Sequence, residues 1–216
     1  MSSAENLQSA GLSKDWVIAN FVTTPSGEIE VGGTSRGISN EIDRASLISY
    51  RRQADVVLTT AVTARAERYR RMSTKALALV SRTGDFEGLE ALNGDGLLVL
   101  IVGRQALKST REKYSAKDTL IIGLRKYSPR KIRRALKIRG FRRIVLEAGP
   151  SFTDWFASGR ALSELALTIV GLKSKFAATD ASAFFSRFEQ TKFELLNATQ
   201  LEDTALTIWA VSQRTR

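Results

Sequence analysis

A glycine-containing turn between a strand and a helix is the first place in this sequence where chemistry is expected. The stretch RRIVLEAGPSFTDWF, residues 142–156, has the pattern of a buried strand that ends at Ala148, Gly149 and Pro150 and continues as a helix. The first N–H groups of a helix have no partner within it, so they can bind an anion such as a phosphate. The alternative is an ordinary connection in which the glycine only lets the chain turn.

The catalytic chemistry open to this chain is limited, because its 216 residues include no histidine and no cysteine. Serine–histidine and cysteine–histidine pairs are excluded, as are disulfides and zinc sites built on these side chains. Hydride transfer fits the residues that remain, because a bound cofactor carries that chemistry and the protein binds and orients it. Any catalysis must use carboxylates, hydroxyls, Lys, Arg or a bound cofactor, so the catalytic residues stay unassigned, and no metal site is predicted.

The net charge of +11 comes almost entirely from one segment. Residues 125–143 hold ten Lys and Arg and no acid, whereas the rest of the chain has 23 basic and 22 acidic residues. Ser128, Pro129 and Gly140 are typical of the start and the end of a helix. Its apolar residues share one face; they are Ile132, Ala135 and Leu136.

We expect this basic helix to be a solvated outer helix. A nucleic acid is not the expected partner, because no nucleic-acid-binding motif accompanies the charges. Binding of a nucleic acid or of an acidic partner through residues 125–143 stays open as an alternative function.

The elements that must position these groups follow from the apolar pattern. Short apolar runs predict strands at 16–23, 55–60, 76–80, 97–102, 119–123 and 144–146, and a helix is expected over 40–53. Such runs are typical of strands buried on both faces of a parallel sheet. Alternating runs at 162–171, 191–200 and 204–211 predict antiparallel strands, the last two forming a hairpin.

The predicted sheet places the candidate turn where ligands bind. In open α/β sheets ligands lie beyond the carboxyl ends of the strands, where the turn at Gly149 and the segment after Thr60 are both expected. We expect a flexible segment over residues 1–14 and a single domain over residues 15–216. Without an apolar run of transmembrane length or a secretion signal, a cytoplasmic location and no membrane partner are expected.

Six stretches, taken in order, resemble a known family. They are NFVTTPSGEI (20–29), GGTSRGISNEIDR (32–44), RRQADVVLTTAVTARAERY (51–69), VSRTGD (80–85), GFRRIVLEAGPSF (140–152) and LSELALTIVG (162–171). Their order resembles that of the reductase domain of riboflavin biosynthesis, a relative of dihydrofolate reductase. The resemblance implies a dihydrofolate-reductase-like α/β fold: a mixed, mostly parallel central sheet flanked by helices, with a C-terminal antiparallel hairpin.

The same resemblance implies an activity and a site. It implies an NADPH-dependent homodimer that resembles 5-amino-6-(5-phosphoribosylamino)uracil reductase and transfers hydride to the ribosyl group of a pyrimidine nucleotide. The implied cofactor-binding residues are Thr59, Thr60, Ala61, Thr63, Arg65, Ser81, Arg82, Glu147, Ala148, Gly149, Pro150 and Ser151. The implied substrate-binding residues are Thr24, Ser26, Ser35, Asn40, Arg44 and Glu67.

Structural roles stay open for several of these residues. Ser81 and Arg82 fit a surface turn before Gly84, Glu67 fits a partner for nearby arginines, and Asn40 fits a helix N-cap.

Three positions depart from the family pattern. Residues 60–63 read Thr-Ala-Val-Thr where relatives carry Gly-Ala-Gly-Thr, Ala148 replaces a glycine, and Ser26 replaces an aspartate. β-branched residues resist the positive φ that glycine allows, and their side chains occupy space that a cofactor would need. A non-catalytic or repurposed member of the fold is therefore an alternative.

Overall fold

A computed structural model describes residues 15–213, and its strands form one sheet. The strands are β1 (Trp16–Thr23), β2 (Val56–Thr60), β3 (Ala76–Val80), β4 (Leu98–Gly103), β5 (Thr119–Leu124), β6 (Arg143–Leu146), β7 (Glu164–Val170), β8 (Thr191–Leu201) and β9 (Thr204–Gln213). Their order in the sheet is β5-β4-β3-β2-β6-β1-β7-β9-β8. Neighbours from β5 to β7 are parallel, and β9 is antiparallel to both β7 and β8. The predicted mixed, mostly parallel sheet with a C-terminal hairpin is confirmed.

Helices cover both faces of this sheet. They are α1 (Glu41–Gln53), α2 (Ala61–Ala66), α3 (Leu107–Tyr114), α4 (Pro129–Lys137), α5 (Pro150–Ser158) and α6 (Ser182–Phe185). Short 3₁₀ turns lie at Ser35–Gly37, Glu90–Leu92, Arg104–Ala106 and Ala178–Ala181. No helix in the part of the chain that the structure describes is long and apolar enough to cross a membrane.

The core divides along the two faces, because successive side chains of a strand point in opposite directions. In β2, Val56 and Leu58 join the cluster packed under α4, α5 and α6, whereas Val57 joins the cluster on the α2 and α3 side. Helix α1 packs Tyr50 and Ala54 on that second side, over β1 and β6. Both faces of the central strands are therefore buried, as their continuous apolar sequences predict.

The basic helix forms as predicted. Helix α4 begins at Pro129 and buries its predicted apolar face, which consists of Ile132, Ala135 and Leu136. Gly140 follows the helix with a φ of +90°. Ser128 lies at the N-cap position, but its side chain makes no capping hydrogen bond.

The prediction for residues 162–171 was wrong in part. Strand β7 is antiparallel to β9 but parallel to β1, which is its other neighbour. Leu165, Leu167 and Ile169 share one face as expected, but the residues between them are also buried: Ala166 is 4% and Thr168 is 2% exposed. The alternation is therefore one of large and small buried side chains rather than of buried and exposed ones. The predicted flexible segment, residues 1–14, lies outside the described residues.

Candidate functional site

A cavity of about 610 Å³ opens at the carboxyl ends of β2 and β3 and faces the start of α5. Its lining includes six of the residues predicted to bind a cofactor: Thr60, Ala61, Arg65, Ser81, Arg82 and Ser151. These residues come from three separate stretches of the chain that the sheet brings to one edge. The expected position of a ligand, beyond the carboxyl ends of the strands, therefore coincides with a real cavity.

The departure at residues 60–63 does not strain the backbone. Thr60 has an extended conformation, with a φ of −88° and a ψ of 156°, so the freedom of glycine is not required there. Its Oγ1 accepts a hydrogen bond from the N–H of Thr63 at 3.0 Å and caps α2. Val62 is 73% exposed and lines the cavity. The branched side chains thus cap the helix and border the cavity without forcing an unfavourable φ.

Ser81 and Arg82 form a surface turn, which is the alternative structural role given for them above. They also border the cavity. The Oγ of Ser81 accepts a hydrogen bond from the N–H of Asp85 at 3.0 Å, and Gly84 closes the turn with a φ of +77°. The Arg82 side chain is exposed, and no hydrogen-bond acceptor among the described residues engages its guanidinium group. An anion in the cavity would therefore meet a cation whose hydrogen-bond donors are free.

The other cavity arginine is held by the protein. The Nη2 of Arg65 donates to the carbonyl oxygen of Glu87 at 2.9 Å and lies 3.5 Å from Oδ1 of Asp85. Asp85, which the sequence analysis did not select, also lines the cavity. Arg65 is thus partly neutralised, which leaves Arg82 as the freer of the two guanidinium groups.

Glu147 does not line the cavity but anchors the turn beside it. It is 6% exposed, and its carboxylate accepts from Arg51 Nε at 2.8 Å and from Arg51 Nη2 at 2.5 Å. The hydroxyl of Tyr69 donates to the same carboxylate, and burial together with Glu147 raises the Tyr69 pKa, so this donor stays protonated. Thr59, likewise outside the lining, donates from Oγ1 to the Glu147 carbonyl oxygen at 2.5 Å. Thr59 and Glu147, which are predicted to contact a cofactor, thus position the turn through contacts within the fold.

Gly149 leaves open space in front of the turn. It is the N-cap residue of α5 with a φ of −61°, and a Cβ built there would meet no atom within 4 Å. Neither the backbone conformation nor packing against the described residues requires glycine, so a close-lying ligand is a physical reason for one. Ala148 is 5% exposed and packs in the core, so its methyl group does not enter the cavity. Pro150 begins the helix.

An aromatic wall completes the cavity, and sequence reasoning missed it. It consists of Tyr127, Phe152 and Trp155. The rings of Tyr127 and Trp155 stack with centroids 5.9 Å apart and planes 18° from parallel. The available signal was the spacing of Phe152 and Trp155 in the first turns of a helix that starts at the candidate turn. Flat aromatic faces suit a ring, so the cavity combines surfaces for rings and for phosphates.

The predicted substrate-binding residues form two contacting pairs. Thr24 and Ser26 lie 2.8 Å apart through their hydroxyl oxygens, and both donate to Oε2 of Glu28, at 3.2 and 3.3 Å. Glu28, which the sequence analysis did not select, thus places a carboxylate beside Ser26. The backbone N–H of Ser35 donates to Oε1 of Glu67 at 2.7 Å.

The last two predicted substrate residues lie at the start of α1. The Oδ1 of Asn40 accepts from the N–H of Asp43 at 3.0 Å, and its Nδ2 donates to Oγ1 of Thr204 at 2.7 Å. The amide is therefore occupied within the fold, as the N-cap alternative anticipated. Arg44 is exposed, and within residues 15–213 no acceptor engages its guanidinium group.

The basic segment is partly neutralised by the body of the protein. Lys137 and Arg142 both approach Asp15, at 2.6 and 3.7 Å, and Arg143 lies 2.6 Å from Asp55. These contacts connect α4 and the start of β6 to the residues that immediately precede β1 and β2. Much of the segment therefore serves the fold, in line with the expected solvated outer helix.

Comparison with known proteins identifies the family. Residues 15–173 match the RibD C-terminal domain. A pyrimidine reductase-like protein from Corynebacterium diphtheriae superposes with a TM-score of 0.71 at 17% identity, over 98% of this chain and 99% of that one. The bifunctional diaminohydroxyphosphoribosylaminopyrimidine deaminase/5-amino-6-(5-phosphoribosylamino)uracil reductase of Thermotoga maritima gives 0.70 at 15% identity, over 91% of this chain and 56% of that one.

A eukaryotic reductase shares the fold. The riboflavin biosynthesis reductase Rib7 of Saccharomyces cerevisiae gives a TM-score of 0.64 at 11% identity, over 96% of this chain and 95% of that one. Among curated proteins, none matches this chain in sequence. The low identities establish the shared fold, whereas the family match extends over most of the chain. The chain therefore belongs to the family of RibD C-terminal domains, the reductase domain of riboflavin biosynthesis.

Proposed function

We propose that this protein is an NADPH-dependent reductase that converts the ribosyl group of a phosphorylated aminopyrimidine into a ribityl chain. The observation that carries the proposal is the cavity at the carboxyl ends of β2 and β3. Its lining combines the exposed guanidinium group of Arg82 with an aromatic wall, and Gly149 leaves open space at the start of α5, the helix that borders the cavity. These are the features that a dinucleotide with phosphates and rings requires.

The residues that would hold the cofactor follow from this chemistry. Arg82 and the Ser81 hydroxyl suit the 2′-phosphate, because a guanidinium group presents several donors to a phosphate dianion. The first N–H groups of α5, behind Gly149, suit the pyrophosphate. NADPH, when bound, supplies the hydride. The protein's contribution is binding and orientation, with the Arg51–Glu147 pair holding the turn in place.

The substrate is proposed to lie toward Thr24, Ser26 and Glu28. Their two hydroxyls and one carboxylate provide both donors and acceptors, which the amide edges of a pyrimidine require. Arg44 is exposed and available for the phosphate of the substrate. The similar proteins of Corynebacterium diphtheriae and Thermotoga maritima are named for pyrimidine reduction and uracil reduction, which supports this substrate class.

A homodimer is part of the proposal. Leu195 and Leu196 on the edge strand β8 are 39% and 57% exposed, and Ile48 on the outer face of α1 is 47% exposed. Leu196 lies at a bulge, where the register between β8 and β9 shifts. Exposed apolar side chains on an edge strand suit a second copy of the chain. Light scattering should give twice the chain mass, and Leu196→Glu should shift the protein toward the monomer.

Substrate-dependent oxidation of NADPH tests the activity. Purified protein is mixed with NADPH and the phosphorylated ribosylaminopyrimidine, and the loss of nicotinamide absorbance is followed. We expect oxidation only when both compounds are present, with Arg82→Ala raising the KM for NADPH. Binding of NADPH without any turnover would instead favour the non-catalytic member of the fold.

A further inference from the structure

Three neighbouring strands each carry an arginine just past their carboxyl ends. Arg82 follows β3, Arg104 follows β4 and Arg125 follows β5. We call these three residues the arginine row. Since parallel strands end at the same edge of a sheet, the row runs from the cavity at β3 outward to the edge strand β5.

The backbone fixes the spacing of the row. Gly103 pairs with Leu124 in the register of β4 and β5, so Arg104 and Arg125 leave the sheet at the same level. The N–H of Gly103 donates to the carbonyl oxygen of Arg82 at 3.0 Å. A Cβ on Gly103 would lie 2.8 Å from that oxygen, so glycine is what permits this approach. Neighbouring strands are about 4.8 Å apart, which puts the three residues on adjacent backbone positions.

No hydrogen bond or ion pair among the described residues gives the arginine row a structural role. All three side chains are exposed, and none donates a hydrogen bond or forms an ion pair within the described residues. Arg71 shows the contrast, because its guanidinium group donates to the carbonyl oxygens of Ala91 and Leu92, both at 2.8 Å. A structural arginine in this protein thus has its acceptors supplied, whereas the arginine row does not.

We propose that Arg104 and Arg125 extend the phosphate-binding surface of Arg82 and set the preference for a phosphorylated dinucleotide over an unphosphorylated one. This inference rests on the proposed function, because it assumes a dinucleotide in the cavity. A phosphate group beside Arg82 carries up to two negative charges and several acceptor oxygens, more than one guanidinium group can satisfy. The two further arginines supply the remaining charge and donors.

The distance from Arg82 distinguishes the effect of Arg104 and Arg125 on phosphate binding from the effect of the protein's overall positive charge. Charges farther apart than the Debye length, about 8 Å at physiological ionic strength, are largely screened. Lys113 near the end of α3 and Lys117 before β5 are also exposed, but they lie at the amino end of β5. A six-residue strand is about 20 Å long. The two lysines are therefore a matched control for the two arginines.

The test compares two double variants with the same change in charge. The dissociation constants of NADPH and NADH are measured at physiological salt for the parent protein, for Arg104→Glu/Arg125→Glu and for Lys113→Glu/Lys117→Glu. We expect the arginine variant to lower the ratio of NADPH to NADH affinity about tenfold, and the lysine variant to leave it within about twofold. The milder Arg104→Gln/Arg125→Gln variant should give an intermediate loss.

Each other outcome overturns the inference in a recognisable way. Equal loss in both double variants would assign the effect to net charge, and an unchanged ratio in both would remove the two arginines from recognition. If the parent protein binds NADPH preferentially and the arginine variant does so equally well, the proposed function holds but the inference about Arg104 and Arg125 is wrong. A parent protein that binds neither dinucleotide would overturn both.

Discussion

Arg51 and Glu147 form a two-pronged ion pair between residues 96 positions apart in the chain, with Nε–Oε1 and Nη2–Oε2 distances of 2.8 and 2.5 Å. The pair joins helix α1 to the end of β6, immediately before the turn at Gly149. Tyr69 donates to the same carboxylate, so the segment after α2 is fastened to it as well. The position of the cavity wall therefore depends on a contact that lies outside the cavity.

Removing the guanidinium group should destabilise the protein. Arg51→Ala leaves the Glu147 carboxylate buried with only Tyr69 as a side-chain donor, and we expect a loss of about 2–4 kcal/mol in the free energy of unfolding. Urea denaturation measures this loss. Arg52→Ala is the matched control, because Arg52 is the exposed neighbour on the same helix, and it should stay within about 0.5 kcal/mol. Equal effects of the two variants would contradict a structural role for the pair.

Two glycine substitutions should separate ligand binding from folding. Gly149→Ala adds a methyl group that meets no described atom within 4 Å, so the free energy of unfolding should change by less than about 0.5 kcal/mol while NADPH affinity falls. Gly159→Ala places its Cβ 2.6 Å from Pro129 and should destabilise by about 1–3 kcal/mol. Denaturation and cofactor titration of both variants test this. Undiminished NADPH affinity in Gly149→Ala would remove the turn from the cofactor site.

Thr60 should behave as a helix cap rather than as a strained replacement for glycine. Thr60→Ala removes the acceptor for the Thr63 N–H and should lower the free energy of unfolding by about 1 kcal/mol. Thr60→Ser keeps the hydroxyl and should be nearly neutral. Thermal denaturation of both variants distinguishes them. If alanine proved as stable as threonine, the capping interaction would contribute nothing to stability.

Asp43 should make stability depend on pH. It is 4% exposed; burial raises its pKa, although Ser39 donates to Oδ2 at 2.6 Å, and Oδ1 accepts no hydrogen bond from the described residues. The folded protein holds this proton more tightly than the unfolded chain does. The unfavourable contribution is therefore absent below the unfolded pKa of about 3.9, grows as pH rises from there toward the folded pKa, and is complete above the folded pKa.

Asp43→Asn should remove this contribution. The variant should be more stable than the parent at pH 7, with the difference shrinking as pH falls and disappearing below the unfolded pKa of about 3.9. Urea denaturation across pH measures it. Glu41→Gln, which changes an exposed carboxylate two residues earlier in α1, should change stability by less than about 0.5 kcal/mol at either pH. A gain in Asp43→Asn that persisted at low pH would point to packing rather than to titration.

The strands were predictable because their burial imposes a local pattern. The strands at Trp16–Thr23 and Ala76–Val80 have the predicted bounds, since each is a largely apolar run between polar residues. The neighbours of a strand are not encoded in the same way. The alternation in β7 identified its buried face but not its parallel neighbour β1, because the opposite face carries small residues rather than exposed ones.

The site could be predicted only where one stretch of sequence contains it. Ser81, Arg82 and Ser151, which are predicted to bind a cofactor, line the cavity, and each lies in a short motif at the end of a strand or the start of a helix. Contacts between stretches that are far apart in the sequence could not be predicted from it. The Arg51–Glu147 pair and the aromatic wall depend on which helices pack together, and no spacing within one motif reveals that.

Titration of the purified protein with NADPH, followed by nicotinamide fluorescence, tests most directly whether the cavity beside Arg82 holds the cofactor. NADH provides the comparison, and Arg82→Ala provides the variant. We expect saturable binding that prefers NADPH and that weakens about tenfold in Arg82→Ala, because the variant loses a charge-assisted contact with the 2′-phosphate. Absence of NADPH binding, or equal binding by Arg82→Ala, would contradict the assignment of this cavity as an NADPH site.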